Sequence, residues 1–168
     1  MKKQSLNEKT NVMRLLDAAG VRYSAFCYAD TNAVSGAEVA AVLGEDPDRV
    51  FKTLVTVGRS RENYVFVIPV NEELNLKKAA AASGEKNIEM IRAKELLPLT
   101  GYIHGGCSPI GMKKQFRTFL HETAILYDRI FFSAGKIGYQ VEVSPEDLMK
   151  MIPCATADLC DIKKEETT

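Results

Sequence analysis

VFKTLVTV, residues 50–57, is the stretch that decides the fold, because its β-branched and aromatic residues favour an extended strand. A second apolar run, YVFVIP at residues 64–69, follows a polar turn, and together the two runs predict a β-hairpin with buried strands. Lys52 interrupts the first run. Strand alternation puts Lys52 on the face of Leu54, whereas Thr53 points to the opposite face.

Lys52 is the first candidate functional residue, because an ammonium group within an apolar strand is costly to bury unless it is paired or faces a cleft. A lysine in a cleft can bind a phosphate or carboxylate, or stabilise an oxyanion. Alternatively, its aliphatic stem covers apolar surface while its charged end reaches water. The residues alone leave both interpretations open.

Outward from the hairpin, hydrophobic periodicity and capping residues predict further elements. Ser35 begins a Ser-x-x-Glu capping box, Asn75 is placed to cap another helix, and Ser144 begins the last one. The predicted helices are 11–19, 35–44, 75–84, 93–97 and 144–153, and the other predicted strands are 21–28, 88–91, 117–120, 129–133 and 140–143. Pro98 is expected to break the fourth helix. Without regular βαβ alternation, the order predicts an α+β domain whose mixed sheet curls towards a barrel with flanking helices.

Length and charge limit the class of protein. The chain has 168 residues, close to one ordinary domain, so a single domain spanning residues 1–168 is expected. Lys and Arg number 22 and Asp and Glu number 22, so a net charge of zero gives no overall attraction to nucleic acid. Any such contact would come from local lysine clusters. No stretch approaches the length of a membrane span, which favours a soluble, cytoplasmic protein.

The cysteines and histidines predict neither a metal site nor a disulfide framework. The four cysteines show no C-x-x-C spacing, and the two histidines, His104 and His121, lie 17 residues apart. Each histidine is interpreted as an ordinary hydrogen-bonded residue. Cys107 could act as a nucleophile, but no histidine is fixed as its base, and a packing role is the alternative.

GYIHGGCSPIGMKK, residues 101–114, is the second candidate site. The paired Gly105 and Gly106 let the backbone turn sharply and approach a ligand closely. Backbone N–H donors and hydroxyls beside Lys113 and Lys114 suit an anionic or carbonyl ligand. Glycine-rich turns are also common at protein surfaces, so a plain surface loop is the alternative.

The third candidate is Ser133-Ala134-Gly135-Lys136, where a strand end passes into a tight basic turn, and a hairpin loop with an incidental lysine is the alternative. No Ser-His-Asp order, paired carboxylates, Walker loop or dinucleotide fingerprint accompanies these candidates. The residues therefore predict a pocket of lysine, glycine backbone and hydroxyl groups. Such a pocket suits an ester or a phosphate but has no evident protein nucleophile or base.

Four segments together resemble the YbaK/EbsC family of aminoacyl-tRNA deacylases, most closely its YbaK-type Cys-tRNA(Pro) deacylases. They are Phe51-Lys52-Thr53-Leu54, Leu76-Lys77-Lys78-Ala79, residues 101–114 and Ser133-Ala134-Gly135-Lys136, within a resemblance that runs from about Leu15 to Asp161. The resemblance implies a mixed α/β-barrel fold, shared with the editing insertion of bacterial-type prolyl-tRNA synthetases. It also implies hydrolysis of mischarged cysteinyl-tRNA(Pro) in trans, without a metal or another cofactor.

In the mechanism implied by the resemblance, the substrate's own thiol attacks its ester carbonyl and a cyclic thioester leaves. The enzyme would be a hydrolase, or a lyase if that step defines the class. By the same resemblance, Lys52 would orient the 3′-terminal adenosine or stabilise developing negative charge, and the Gly106 N–H would hold the carbonyl oxygen. The residues implied to line the pocket are Tyr28, Ser35, Thr53 and Ser133, and those implied to contact phosphates of the acceptor end are Lys113 and Lys136.

Two alternatives accompany this function: a sister deacylase that clears alanyl-tRNA(Pro) or another misacylated tRNA, and a non-catalytic module that binds tRNA or a synthetase. Near-neutral charge predicts weak affinity for tRNA alone, and hence a ternary complex with prolyl-tRNA synthetase. One position departs from the family pattern. Ala134 stands where a second glycine is expected, which puts the shape of that turn in question.

Overall fold

The two apolar runs form the predicted hairpin in the middle of a mixed sheet. The computed structural model describes residues 8–161, and within that range the chain forms eight strands. They are β1 (Tyr23–Cys27), β2 (Phe51–Gly58), β3 (Asn63–Pro69), β4 (Ile88–Met90), β5 (Arg117–His121), β6 (Ile130–Ser133), β7 (Tyr139–Val143) and β8 (Cys154–Ala157). β2 and β3 pair antiparallel, with Lys52 opposite Ile68 and Thr53 opposite Val67.

The strands form two sheets that do not close into a barrel. The larger sheet has the order β4-β2-β3-β5-β8, in which β3, β5 and β8 run parallel and the other neighbours antiparallel. The smaller sheet has the order β1-β7-β6 and is antiparallel. A single bridge between Val50 and Phe131 joins the two sheets within the described residues. The predicted α+β architecture with a mixed sheet is confirmed, although its strands are divided between two open sheets.

Five short helices flank the sheets within residues 8–161: α1 (Asn11–Ala18), α2 (Gly36–Leu43), α3 (Leu76–Ser83), α4 (Ala93–Thr100) and α5 (Pro145–Met151). The predicted caps are present. Ser35 and Glu38 form a capping box, the Asn75 side chain accepts the Lys78 N–H at 3.0 Å, and Ser144 caps the last helix. In this part of the chain, no helix has both the length and the apolar character needed to cross a membrane.

The two faces of β2 pack as strand alternation predicts. Phe51 and Val55 belong to the largest buried cluster, where Leu16 of α1 covers the sheet. Leu54 packs from the other face against a second cluster that contains Phe66. The hairpin is therefore covered on both faces, and this explains why its sequence is a nearly continuous apolar run.

Two elements differ from the sequence prediction. α4 continues through Pro98 to Thr100, so the predicted break at Pro98 is wrong, although this proline removes one N–H bond and crowds the carbonyl four residues earlier. It ends soon afterwards at Gly101, whose N–H donates to the Leu97 carbonyl at 2.9 Å. The sequence also does not predict β8, since two of its four residues are alanines. That strand forms by parallel pairing with β5 at the edge of the larger sheet.

Gly138 fixes the turn between β6 and β7 against the end of β1. Its φ of +94° is in the left-handed region, and a Cβ atom there would lie 2.6 Å from the Ala29 Cβ. Its carbonyl accepts the Tyr28 N–H at 2.7 Å. Gly20 provides a matched control, because its φ is +69° and an added Cβ would meet open space.

We expect Gly138→Ala to lower the free energy of unfolding by about 1–3 kcal/mol more than Gly20→Ala does. Both substitutions strain a left-handed backbone, but only the first also forces atoms into overlap. Urea unfolding of the two variants and the wild type measures the difference. Equal losses at the two positions would contradict the close approach of Gly138 to Ala29.

Candidate active site

A cavity of about 220 Å³ lies where the start of β2 faces the adjoining ends of β6 and β7. Its side chains come from segments that are far apart in the sequence. The polar ones belong to Tyr28, Ser35, Lys52, Thr53, His104, Cys107, Ser133 and Gln140, and the apolar ones to Val34, Val39, Val50, Phe51, Leu54, Val70 and Leu96. Gly36 and Gly105 complete the lining. The cavity thus combines apolar walls with a few polar groups, as ligand sites usually do.

The structure brings together five of the eight residues that the sequence predicts for the site. Tyr28, Ser35, Lys52, Thr53 and Ser133 all line this cavity. Tyr28 directly follows β1 and is only 7% exposed, so burial raises the pKa of its hydroxyl. Lys52 and Thr53 are neighbours in β2, and Ser133 is the last residue of β6.

The other three predicted residues do not line the cavity. The Gly106 N–H donates to the Ile103 carbonyl at 3.0 Å, so a contact with a substrate carbonyl would require this bond to open. The Lys136 ammonium is paired with Glu8 at 3.1 Å, and Lys113 is exposed. The predicted roles of these three residues therefore stay predictions.

Lys52 supplies positive charge to the cavity. It is partly buried, and within the described residues its ammonium group makes no hydrogen bond or ion pair. The lining residues include no carboxylate. Because Lys52 lines the cavity, the cleft interpretation of this residue is favoured. The cavity suits a phosphate, or an ester oxygen on which negative charge develops.

The glycine-rich segment is a packed part of this site and not a plain surface loop. Tyr102 and Ile110 are buried within it, and the Tyr102 hydroxyl donates to the Ile110 carbonyl at 2.5 Å. Ser108 is completely buried, and its hydroxyl accepts the Ile110 N–H. Gly105, with φ of +86°, brings the backbone to the cavity. These contacts hold the loop in one shape before a ligand binds.

Backbone donors are available on either side of Gly106. The N–H groups of Gly105 and Cys107 make no hydrogen bond within residues 8–161, and both residues line the cavity. Pre-positioned N–H groups stabilise an oxyanion because they need no reorganisation when the charge develops. The sequence suggested a backbone donor in this loop, but it could not show which of three neighbouring N–H groups is free.

No protein nucleophile is activated in the cavity. Burial raises the pKa of the Cys107 thiol to about 12, which leaves it protonated at neutral pH. No hydrogen bond within the described residues joins a lining thiol or hydroxyl to a histidine. His121 lies elsewhere, where its Nδ1 accepts the Leu159 N–H at 3.1 Å, in the structural role expected from the sequence.

Gln140 is a lining residue that the sequence analysis missed. It lies in β7, opposite Ser133 of β6, and is 5% exposed. Its side-chain oxygen and the Thr53 hydroxyl are buried and have no hydrogen-bond partner within the described residues. A glutamine in a strand carries no functional signal in the sequence. Only the register of β6 and β7 places it beside a predicted site residue.

The departure at Ala134 does not alter the turn that it begins. Ala134 is completely buried and has no left-handed φ, whereas the next residue, Gly135, has φ of +87°. The Gly135 N–H donates to the Ser133 hydroxyl at 3.1 Å. An alanine is accepted at the first position because the left-handed conformation falls on the second.

Comparisons with known proteins converge on one family. A model of the aminoacyl-tRNA editing domain matches residues 30–151, a range that holds every lining residue except Tyr28. EbsC of Enterococcus faecalis, a proposed Cys-tRNA(Pro)/Cys-tRNA(Cys) deacylase, is 49% identical over 152 residues, which are 90% of this chain and 93% of EbsC. A proline–tRNA ligase of Shouchella clausii is 32% identical over 109 residues, 64% of this chain and 19% of the ligase.

Solved structures share the fold. A proposed trans-editing enzyme for prolyl-tRNA synthetase has a TM-score of 0.78 and 23% identity, covering 92% of this chain and 99% of its own. A hypothetical protein of known structure has a TM-score of 0.83 and 24% identity, covering 90% of this chain and 100% of its own. At these identities, the two structures support the architecture alone.

The raised pKa of Cys107 predicts slow alkylation. At pH 8 we expect iodoacetamide to modify Cys107 in the folded protein roughly a thousandfold more slowly than in urea, where its pKa returns to an ordinary value. The folded rate should still be rising at pH 10, because the thiolate fraction grows up to the raised pKa. Mass-spectrometric mapping of the modified peptide measures both rates. A folded rate that levels off between pH 8 and pH 9 would contradict the assignment.

Proposed function

The chain belongs to the aminoacyl-tRNA editing domain family, and on that premise we propose that it deacylates mischarged cysteinyl-tRNA(Pro) in trans. The identity of 49% to EbsC, over 90% of the chain, supports this choice of substrate. The observation that carries the proposal is the composition of the cavity. Lys52 and two residues with free backbone donors, Gly105 and Cys107, line it, without a carboxylate or an activated thiol. Such a site favours negative charge on an ester oxygen but contains no protein nucleophile.

The reaction that suits this cavity uses the thiol of the substrate. The cysteine sulfur forms a bond to the ester carbonyl carbon, the bond from that carbon to the ribose oxygen breaks, and the thiol proton passes to the departing oxygen. Water then opens the released cyclic thioester to give cysteine. Negative charge develops on the carbonyl oxygen during the first step, and Lys52 with the N–H groups of Gly105 and Cys107 would stabilise it.

Substrate chemistry separates this proposal from its alternatives. A sister deacylase for alanyl-tRNA(Pro) would need a protein base or an activated water, because alanine has no thiol. A non-catalytic module would use the same cavity only for binding. The lack of a hydrogen-bonded nucleophile and base among the described lining residues favours the thiol-assisted reaction over hydrolysis of an alanyl ester.

We expect Lys52→Met to slow single-turnover deacylation of cysteinyl-tRNA(Pro) by about 100-fold or more, because a positive group at the developing oxyanion is lost. Lys86→Met is the matched control, since Lys86 is exposed and lies outside the cavity. The measurement compares the wild type and both variants on cysteinyl-tRNA(Pro) and alanyl-tRNA(Pro).

Each outcome of this comparison has a definite meaning. Rapid loss of cysteine alone, slowed only by Lys52→Met, supports the proposal. Wild-type hydrolysis of the alanyl ester at a similar rate would replace it with the sister function. Loss of neither amino acid would indicate a binding module.

We further propose that prolyl-tRNA synthetase supplies the tRNA specificity in a ternary complex. Net charge is zero, and neither Lys113 nor Lys136 lines the cavity, so few contacts support tight binding of tRNA by this chain alone. The similarity to a proline–tRNA ligase supports the view that both proteins bind the aminoacylated end of tRNA(Pro). We also propose a cytoplasmic location, because tRNA is aminoacylated there.

At physiological salt we expect the protein alone to bind labelled tRNA(Pro) weakly, and an equimolar complex of tRNA(Pro) and prolyl-tRNA synthetase at least about tenfold more tightly, since two sets of contacts act together. Fluorescence anisotropy measures both affinities. A synthetase for another amino acid with its own tRNA serves as the control. Tight, selective binding of tRNA(Pro) without the synthetase would contradict the ternary complex.

A further inference from the structure

Two buried acceptor groups in the cavity have no role in the reaction described above. Gln140 is 5% exposed, and its side-chain oxygen has no hydrogen-bond partner within the described residues. The hydroxyl oxygen of Thr53 is likewise buried and without a partner. Native proteins pair nearly all buried polar atoms, and two of the five unpaired atoms among the described residues belong to residues that line this cavity. A rotation of either side chain would turn its oxygen toward a ligand, which would then complete the missing hydrogen bond.

Both groups are held on rigid elements. Gln140 lies in β7, the central strand of the smaller sheet, where Phe26 of β1 and Ser133 of β6 pair with it on either side. Thr53 lies in β2, within the larger sheet, and pairs with Val67. The two acceptors therefore approach the cavity from different sheets. Groups fixed by paired strands provide more precise contacts than groups on mobile loops.

The electrostatics of the cavity indicate which part of the substrate these acceptors meet. An aminoacyl ester has a carbonyl oxygen that accepts hydrogen bonds and an α-amino group that donates them, whether that group is charged or neutral. Lys52 repels an ammonium group and attracts the carbonyl oxygen. Without a lining carboxylate, the α-amino group would meet uncharged acceptors, and among the described lining residues the oxygens of Gln140 and Thr53 are the buried ones without a partner.

We propose that Gln140 and Thr53 bind the α-amino group of the aminoacyl ester and make the site selective for α-amino esters. This inference rests on the proposed deacylase function and deepens it. Binding the amino group also fixes the orientation of the substrate in the cavity. A hydrogen-bond donor then holds its carbonyl oxygen, and hydrogen-bond acceptors hold its α-amino group. Lys52 is directed at the carbonyl oxygen, and Gln140 at the nitrogen on the neighbouring carbon.

The test compares cysteinyl-tRNA(Pro) with 3-mercaptopropionyl-tRNA(Pro), which keeps the thiol and the ester but lacks the amino group. Each enzymatic rate is divided by the uncatalysed rate of the same ester, which removes their difference in intrinsic reactivity. We expect the wild type to prefer the cysteinyl ester at least about tenfold in corrected kcat/KM, the size of effect expected for hydrogen bonds to a charged donor.

Variants assign that preference to its groups. Gln140→Met has a similar shape without an acceptor oxygen. We expect it to lose most of the preference, because its kcat/KM should fall for the cysteinyl ester and stay unchanged for the 3-mercaptopropionyl ester. Thr53→Val should lose part of it. Gln140→Glu keeps an acceptor and should keep the preference, as should Gln115→Met, a control at an exposed glutamine outside the cavity. Thermal unfolding of each variant establishes that it is folded.

The outcomes separate this inference from the proposed function. If the wild type deacylates both esters without a corrected preference, the α-amino assignment is overturned while the thiol-assisted reaction stands. If Gln140→Met and Thr53→Val are folded but slow both esters equally, the two residues have a structural role and the assignment is again overturned. If the wild type acts on neither ester, the proposed function itself fails.

Discussion

The junction between the two sheets is the constraint on which the site depends. Beside the bridge from Val50 to Phe131, the Arg49 side chain donates to the Arg129 carbonyl from Nε at 3.2 Å and from Nη2 at 2.9 Å. The Arg49 guanidinium also lies 5.2 Å from the centre of the Phe131 ring. These contacts fix the start of β2 relative to β6. The cavity lies next to this junction, because Val50 and Ser133 line it, so contacts made outside the cavity help to position its walls.

Local chemistry made much of this architecture predictable. Capping residues such as Ser35 and Asn75 determine where helices begin through bonds to their own next turn, so the sequence alone locates them. The apolar run around Lys52 is similarly explicit, because a strand covered on both faces needs apolar residues at nearly every position. Lys52 was noticeable because it breaks that pattern, and its place in the cavity is the physical reason for the exception.

What the sequence could not predict depends on contacts between distant segments. β8 has little intrinsic strand preference and exists because β5 offers it a free edge. Gln140 enters the site through its register with Ser133, which no local pattern records. In the glycine loop, the choice of donor depends on one bond from Gly106 to Ile103. Residue types therefore predicted the chemistry of the pocket, whereas the individual atoms that perform it required the pairing of strands and the path of the loop.

Size alone cannot give this cavity the selectivity that editing requires. A pocket that admits a cysteinyl group also admits alanine, and the apolar difference between such side chains is worth only about 1–3 kcal/mol. A reaction that needs the substrate thiol excludes alanine by chemistry instead, which is consistent with a described lining that holds Lys52 and backbone donors but no activated thiol. The same logic has a limit. Correctly charged Cys-tRNA(Cys) presents an identical ester to the cavity, so protection of that tRNA must come from contacts outside it, with the tRNA body or with a partner that selects tRNA(Pro).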